Sequence, residues 1–381
     1  MTGTAFIPDR LFEGQRLQDR QALLVEDGLV AAILSTGEIP ADVAQYKLPG
    51  LIAPGFVDLQ INGGGGVMFN DAPSVETLQT IARANLSLGS TAILPTLITD
   101  TPDHTRAAID ATIAAIAAGT PGIAGLHLEG PHLSVARKGA HDPALIRPME
   151  GADIAMLTDA AAQLPSLLVT LAPEAVSPDQ IAALVEAGIT VSLGHSDADF
   201  DTCQQASEAG ATCVTHLFNA MSQLGARMPG LVGAALATGG LHAGLIADGI
   251  HVHPTSIAAA LRAKEGPGEV FLVTDAMATA GSDITEFTLN GRQICRQDGR
   301  LTLADGTLAG ADLDMATALQ VMTARVGVPL EQALRMATSV PAQVLGRGDL
   351  GLLAPGHPAH FVQMDDALVL HGTWYAGAQV A

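Results

Sequence analysis

Residues 125–133 read GLHLEGPHL. An apolar run carries His127 and Glu129 and then stops at once on Gly130-Pro131. A carboxylate at the end of a buried strand is costly unless something positive meets it. The stretch reads as a strand that delivers Glu129 to a site, and the rest of the chain has to supply the partner.

Seven other runs share this form. GFVDLQING (55–63) and STAILPTLIT (90–99) precede it. LLVTLAPE (167–174), ITVSLGHS (189–196), ATCVTHLFNA (211–220), HAGLIADGIHV (242–252) and EVFLVTDAM (269–277) follow. Near-continuous apolar character marks strands covered on both faces. Between most of them lie segments with helical spacing that stop on Gly: VETLQTIARANLSLG, HTRAAIDATIAAIAAG, SPDQIAALVEAG and PTSIAAALRAKEG. Eight alternating units predict an α/β fold, a (β/α)8 TIM-type barrel. The Asn290-Gly291 and Asp305-Gly306 turns mark residues 286–309 as a β-hairpin excursion after the eighth strand. Two helices, about 311–327 and 330–340, then close the barrel. The two chain ends have a different texture, with short alternating runs such as ALLVEDG and AHFVQMD between turn residues. They predict a small, discontinuous β-sandwich domain from residues 1–50 and 346–381, with the catalytic barrel at 51–345.

The composition narrows the function. The chain has 381 residues, and 18 Lys and Arg stand against 39 Asp and Glu, for a net charge of −21. That argues against a nucleic-acid partner, which needs basic stripes. Mean hydropathy is +0.33, yet no run approaches the ~20 apolar residues of a membrane span, so no membrane partner is expected. The N-terminal MTGTAFIPDRLFEGQR lacks a basic region followed by an apolar one, which predicts no secretory signal. Cys203, Cys213 and Cys295 form no CxxC pair and suit a reducing, cytoplasmic location. The GGGG run at 63–66 follows the first strand but opens no helix with Lys-Ser/Thr, so it reads as a flexible loop rather than a phosphate cradle.

A barrel places its chemistry at the C-terminal ends of its strands. Those ends carry Gln60 and Asn62, Glu129, His195, His216 and Asn219, Asp248 and His251, and Asp275. Glu129, His195 and His216 form a His2Glu set, the donor count of a catalytic zinc site. The competing reading makes both histidines hydrogen-bonded barrel residues and pairs Glu129 with Arg or Lys, but few cations lie near those strand ends. His127, two residues before Glu129 on the same face, reads as a satisfied barrel histidine or as support behind the ligands. Asp275 can take a proton from water and return it to a leaving amine; the plainer reading is an aspartate capping the next turn.

LAPGFVDLQING, GLHLEGPHL, KGAH, SLGHSDA, THLFNAM, ADGIHV, LVTDAM and GTLAG occur in order over nearly the whole chain. Together they resemble the N-acetylglucosamine-6-phosphate deacetylase family of the amidohydrolase superfamily. The resemblance implies hydrolysis of the acetamide of N-acetylglucosamine 6-phosphate to glucosamine 6-phosphate and acetate. It implies a metal on Glu129, His195 and His216, with Asp275 as catalytic acid/base and His141 at the amide carbonyl. Ala140 and His141 would contact the sugar, and Asn219 and Ala220 the phosphate or sugar. Asp248, within the ADGIHV loop, would also bind the substrate, and Arg227 and His251 would hold the 6-phosphate. Leu308, Ala309 and Gly310 would run along the substrate. In that family the counterpart of Arg227 reaches across from a second subunit, which implies a homodimer.

One departure matters. Many amidohydrolases begin strand one with His-x-His and bind two metals; here Gln60-Ile61-Asn62 stands in that place. Amides ligate zinc poorly beside imidazole, which predicts one divalent metal per subunit, zinc foremost, with ferrous iron suited to the same donors. Gln60 and Asn62 then read as support behind the ligands or as a vestigial metal position. Three other readings stay open: N-acetylgalactosamine 6-phosphate as substrate, an N-acyl-D-amino acid or cyclic amide, and a non-catalytic scaffold of the same fold.

Overall fold

The computed structural model describes residues 3–381; the first two residues of the N-terminal segment lie outside it. Eight parallel strands form the central sheet: β1 Phe56–Ile61, β2 Ser90–Ile98, β3 Leu126–Glu129, β4 Leu167–Leu171, β5 Thr190–Leu193, β6 Cys213–Val214, β7 His242–Ile246 and β8 Val270–Val273. Each pairs with its neighbours in chain order. Almost every strand residue is buried, because helices cover the outside and side chains fill the inside. The register sets Glu129 opposite Ile98 and Thr170 at the C-terminal rim.

Seven helices follow the first seven strands: α1 Val75–Ser87, α2 Pro102–Ala117, α3 Gly151–Ala161, α4 Pro178–Glu186, α5 Phe200–Glu208, α6 Gly230–Ala237 and α7 Pro254–Ala263. Ser74, Thr101, Ser177 and Asp199 cap α1, α2, α4 and α5 by accepting a backbone N–H of the first turn. The sequence pattern did not mark α3, α5 and α6. GLVGAALA of α6 is apolar on all sides and buried almost throughout, so it carries no amphipathic period. FDTCQQASE of α5 is mostly polar and buries only Cys203 and Ala206.

Strands β1 and β8 share no continuous ladder. One parallel bridge, Ile61 to Ala276, joins their ends, and the Asp275 N–H donates to the Gln60 carbonyl at 3.0 Å. Lower down, the fully buried Asp58 of β1 does the joining. Its carboxylate accepts the Thr274 hydroxyl at 2.5 Å, the Thr274 backbone N–H at 3.2 Å and the Gln60 N–H at 3.2 Å. Burial pushes the Asp58 carboxyl up to about 7 against the pull of those donors.

After β8 the chain makes a four-stranded antiparallel excursion: β9 Glu286–Leu289, β10 Arg292–Gln297, β11 Arg300–Thr302 and β12 Leu308–Ala311. It returns to the barrel where the Ala311 N–H donates to the Asp275 carbonyl at 2.9 Å. Three helices, not two, then close the barrel. Met315–Gln320 runs on through a π turn to Val326, and Leu330–Ala337 and Ser339–Val344 are parted by Thr338 at φ −133°, ψ −86°. The GGGG run is a tight turn rather than a loose loop. Gly63–Gly64 pairs with Val67–Met68, and a side chain at Gly63 would fall 2.5 Å from the Val67 carbonyl oxygen and 2.8 Å from the Ala278 nitrogen.

The terminal segments meet in two sheets. One holds Thr4–Ile7, Gln21–Glu26, Leu29–Ser35 and Ala44–Lys47; the other joins Arg10–Phe12, Leu17–Asp19 and Leu51–Pro54 to Phe361–Met364, Leu370–Tyr375 and Ala378–Gln379. Phe6, Leu23, Phe361 and Trp374 pack in a core of their own, with the Phe361 and Trp374 rings stacked at 4.8 Å. This is the expected barrel with a small β domain built from both ends. Strand Leu51–Pro54 lies in that domain's sheet and leads into β1.

Thr274→Val keeps the shape but removes the shortest donor to a buried acceptor. It is expected to cost about 1–3 kcal/mol, measured by urea unfolding. A loss within error of zero would show that Asp58 does not hold β1 to β8.

Candidate metal centre and catalytic cavity

Three ligand atoms meet at the C-terminal mouth of the barrel. Glu129 Oε1 lies 2.9 Å from His216 Nε2 and 3.1 Å from His195 Nε2, and the two Nε2 atoms are 3.1 Å apart. All three side chains are buried. Donors about 2.0 Å from a tetrahedral zinc stand about 3.3 Å apart, so this near-equilateral triangle has the size of one coordination face. The chemistry of the atoms agrees. His195 Nδ1 is 2.9 Å from the Arg137 carbonyl, which can only accept, so Nδ1 carries a proton and the neutral ring would present its lone pair at Nε2. A lone pair aimed at a carboxylate oxygen calls for a cation between them.

His141 competes for the same place. Its ligand atom lies with those of Glu129 and His195 inside a 4.8 Å group. The Glu129–His195–His216 set fits better for two reasons. His141 Nε2 is 3.8 Å from the other carboxylate oxygen, Oε2. In addition, the Thr99 backbone N–H donates to His141 Nδ1 at 3.3 Å, with the Thr99 hydroxyl at 2.7 Å. Burial above all holds the His141 ring well below the ordinary histidine range. A neutral ring whose Nδ1 accepts carries its proton on Nε2, which makes His141 a hydrogen-bond donor to the site.

His127 is a satisfied barrel residue. Its Nδ1 faces the Leu59 carbonyl at 3.0 Å and its Nε2 the Thr170 hydroxyl at 2.8 Å. Burial pushes it down to about 4, so it stays neutral behind the ligands.

Asp275 follows β8 and is buried. Burial, with the charge of Glu129, pushes its carboxyl up to about 6, against the pull of His216, His251 and Asn62. His195, His216 and Asp275 all have left-handed backbone, at φ 47°, 33° and 51°. Each such residue costs about 1–3 kcal/mol and is characteristic of active sites. Here the turn brings the side chain inward just past the strand end.

A cavity of about 370 Å³ opens above these groups. Of the residues expected from sequence, Ala140, His195, His216, Asn219, Ala220, His251, Asp275, Leu308 and Gly310 line it. Ala309 instead packs into an apolar cluster under the excursion. Asp248 spends its carboxylate on His251: Oδ2 accepts from Nδ1 at 2.6 Å, and Oδ1 accepts the Ile250 and His251 N–H groups at 2.8 Å. Arg227 lies on an exposed loop beside Leu224 and Met228, away from its own chain's cavity. Sequence reasoning missed the Arg137 carbonyl and Thr99. A backbone carbonyl leaves no trace in side-chain pattern, and Thr99 stands at a strand end where threonine is ordinary.

Residues 51–379 match the amidohydrolase family. An N-acetylgalactosamine-6-phosphate deacetylase of Shewanella sp. is 45% identical over 95% of this chain and 92% of its own length. An N-acetylglucosamine-6-phosphate deacetylase of Haemophilus influenzae is 33% identical over 93% of this chain and 94% of its own. The crystal structure of the Pasteurella multocida N-acetylglucosamine-6-phosphate deacetylase superposes with a TM-score of 0.95 at 35% identity over 99% of both chains. The chain belongs to the amidohydrolase family, in the group of amino-sugar-6-phosphate deacetylases.

Proposed function

We propose that this barrel hydrolyses the acetamide of N-acetylglucosamine 6-phosphate to glucosamine 6-phosphate and acetate. The observation that carries the reading is the 2.9–3.1 Å triangle of Glu129, His195 and His216 with Asp275 in the same cavity. A second substrate, N-acetylgalactosamine 6-phosphate, is favoured by the 45% identity to the Shewanella enzyme of that name.

A divalent cation held by Glu129, His195 and His216, zinc in this reading, supplies a Lewis acid and lowers the pKa of water toward ~7. Asp275 takes the proton of the attacking water as its oxygen bonds to the carbonyl carbon. His141 donates its Nε2–H to the developing oxyanion, a contribution of about 3–4 kcal/mol for a well-placed donor. Asp275 then hands its proton to the amine as the C–N bond breaks. His251, fixed by Asp248, binds the phosphate with Arg227 of a second subunit, while Asn219, Ala220, Ala140 and Leu308–Gly310 frame the sugar. Such remote binding orients the amide. In this reading the chain is a small-molecule enzyme of the cytoplasm, which its three cysteines without a CxxC pair suit, and acts as a homodimer so that Arg227 reaches the cavity of a second subunit.

Acetate release from a panel of N-acetylated hexosamines, with and without 6-phosphate, tests the reading; no release from either phosphorylated epimer would overturn it. Asp275→Asn is expected to lower kcat about 10²–10⁴-fold with metal content unchanged. Arg227→Ala should raise KM for the phosphorylated sugar far more than for the unphosphorylated one, and equal effects would place the phosphate elsewhere. Asp275 must be deprotonated to accept, so kcat falls as pH drops through its pKa. Burial sets that value at about 6, and a divalent cation held by Glu129, His195 and His216 would lower it further. The acid limb is therefore expected at or below pH 6, and a limb above pH 7 would contradict Asp275 as the base.

A further inference from the structure

Two buried amides touch Asp275, and the chemistry above uses neither. Asn62 Nδ2 donates to Asp275 Oδ1 at 2.7 Å. Gln60 Nε2 donates to the same oxygen at 3.2 Å and to Glu129 Oε1 at 3.3 Å. Gln60 and Asn62 are each 2% exposed. An amide nitrogen only donates, so every contact runs from N–H into carboxylate.

The backbone holds the same residue from both sides. The Asp275 N–H is tied to the Gln60 carbonyl, and the Asp275 carbonyl to the Ala311 N–H. Oδ1 therefore receives two donors, while among the described residues no hydrogen bond reaches Oδ2. Asn62 Oδ1 is left buried without a partner. Leaving a buried acceptor unpaired is costly, and turning the amide over would set two oxygens against each other. The nitrogen side is thus committed to Asp275.

We infer that Gln60 and Asn62 are positioning residues for proton transfer: they saturate Asp275 Oδ1 and leave Oδ2 as the atom that takes the proton from water and passes it to the leaving amine. This rests on the reading of Asp275 as the proton carrier. It also gives the Gln-x-Asn pair a present task in place of a vestigial one. The Gln60 NH2 group stands between two carboxylates, Glu129 and Asp275, and bridges them as a second cation would, with neutral donors.

The test uses the metal-loaded enzyme with Asn62→Ala, and Gln60→Ala as a second variant should the first fail to fold. The expected result is a kcat about 10–100-fold lower, the loss typical of removing an outer support, with KM within twofold and metal content unchanged. Asn62→Ser, whose hydroxyl still donates, should recover part of kcat. A crystal structure of Asn62→Ala should show the Asp275 carboxylate turned from its seat. An unchanged kcat, or a loss that follows loss of metal, would overturn the assignment. Were the wild type inactive on the whole sugar panel, the functional reading would fall, and the crystal structure alone would decide the positioning claim: a carboxylate still seated overturns it.

Discussion

The structure depends on a carboxylate that should not be where it is. Glu129 is buried at the end of a strand in an apolar barrel, with no Lys or Arg among the described residues paired to it. Two histidines from β5 and β6 turn inward to meet one of its oxygens, and both do so at a cost in backbone strain. Three ligand atoms about 3 Å apart fit a shared cation, and Asp275 lines the same cavity.

Around that centre the chain divides its labour by element. The barrel strand ends present Glu129, and His195 and His216 from just past them. Loops near them shape these groups: the Arg137 carbonyl faces Nδ1 of His195, and Thr99 faces Nδ1 of His141. The excursion β9–β12 supplies a wall of the cavity and pins the Asp275 carbonyl through Ala311. Its Arg292 also reaches the Ala140 carbonyl, so one inserted sheet braces the segments on both sides of the cavity. In a chain with 39 acidic and 18 basic residues, cations are few, and Asp248 is given over to holding His251 at the cavity wall.

Much of this was legible in the sequence because the signals were local. All eight strand runs stand where apolar continuity put them, and each candidate ligand falls at or just past a run. The β domain was legible because alternation with turn residues recurs at both ends. The rest was hidden for identifiable reasons. Helix α6 has no polar face to give it a period. The closing helices are parted by the backbone of Thr338, which side-chain pattern does not encode. The Gly63–Gly66 turn is tight because Val67 and Ala278 crowd it, a tertiary fact. The roles of Gln60 and Asn62 needed the 215- and 213-residue separations from Asp275 to be closed by the barrel.

Anomalous diffraction at the zinc edge, on crystals grown with zinc, tests the central claim most directly. The account predicts a single peak per chain, about 2.0–2.2 Å from one Glu129 oxygen, His195 Nε2 and His216 Nε2, with His141 outside bonding distance. A peak coordinated by His141 in place of His216, a second peak at Gln60 and Asn62, or no peak in this cavity would contradict it.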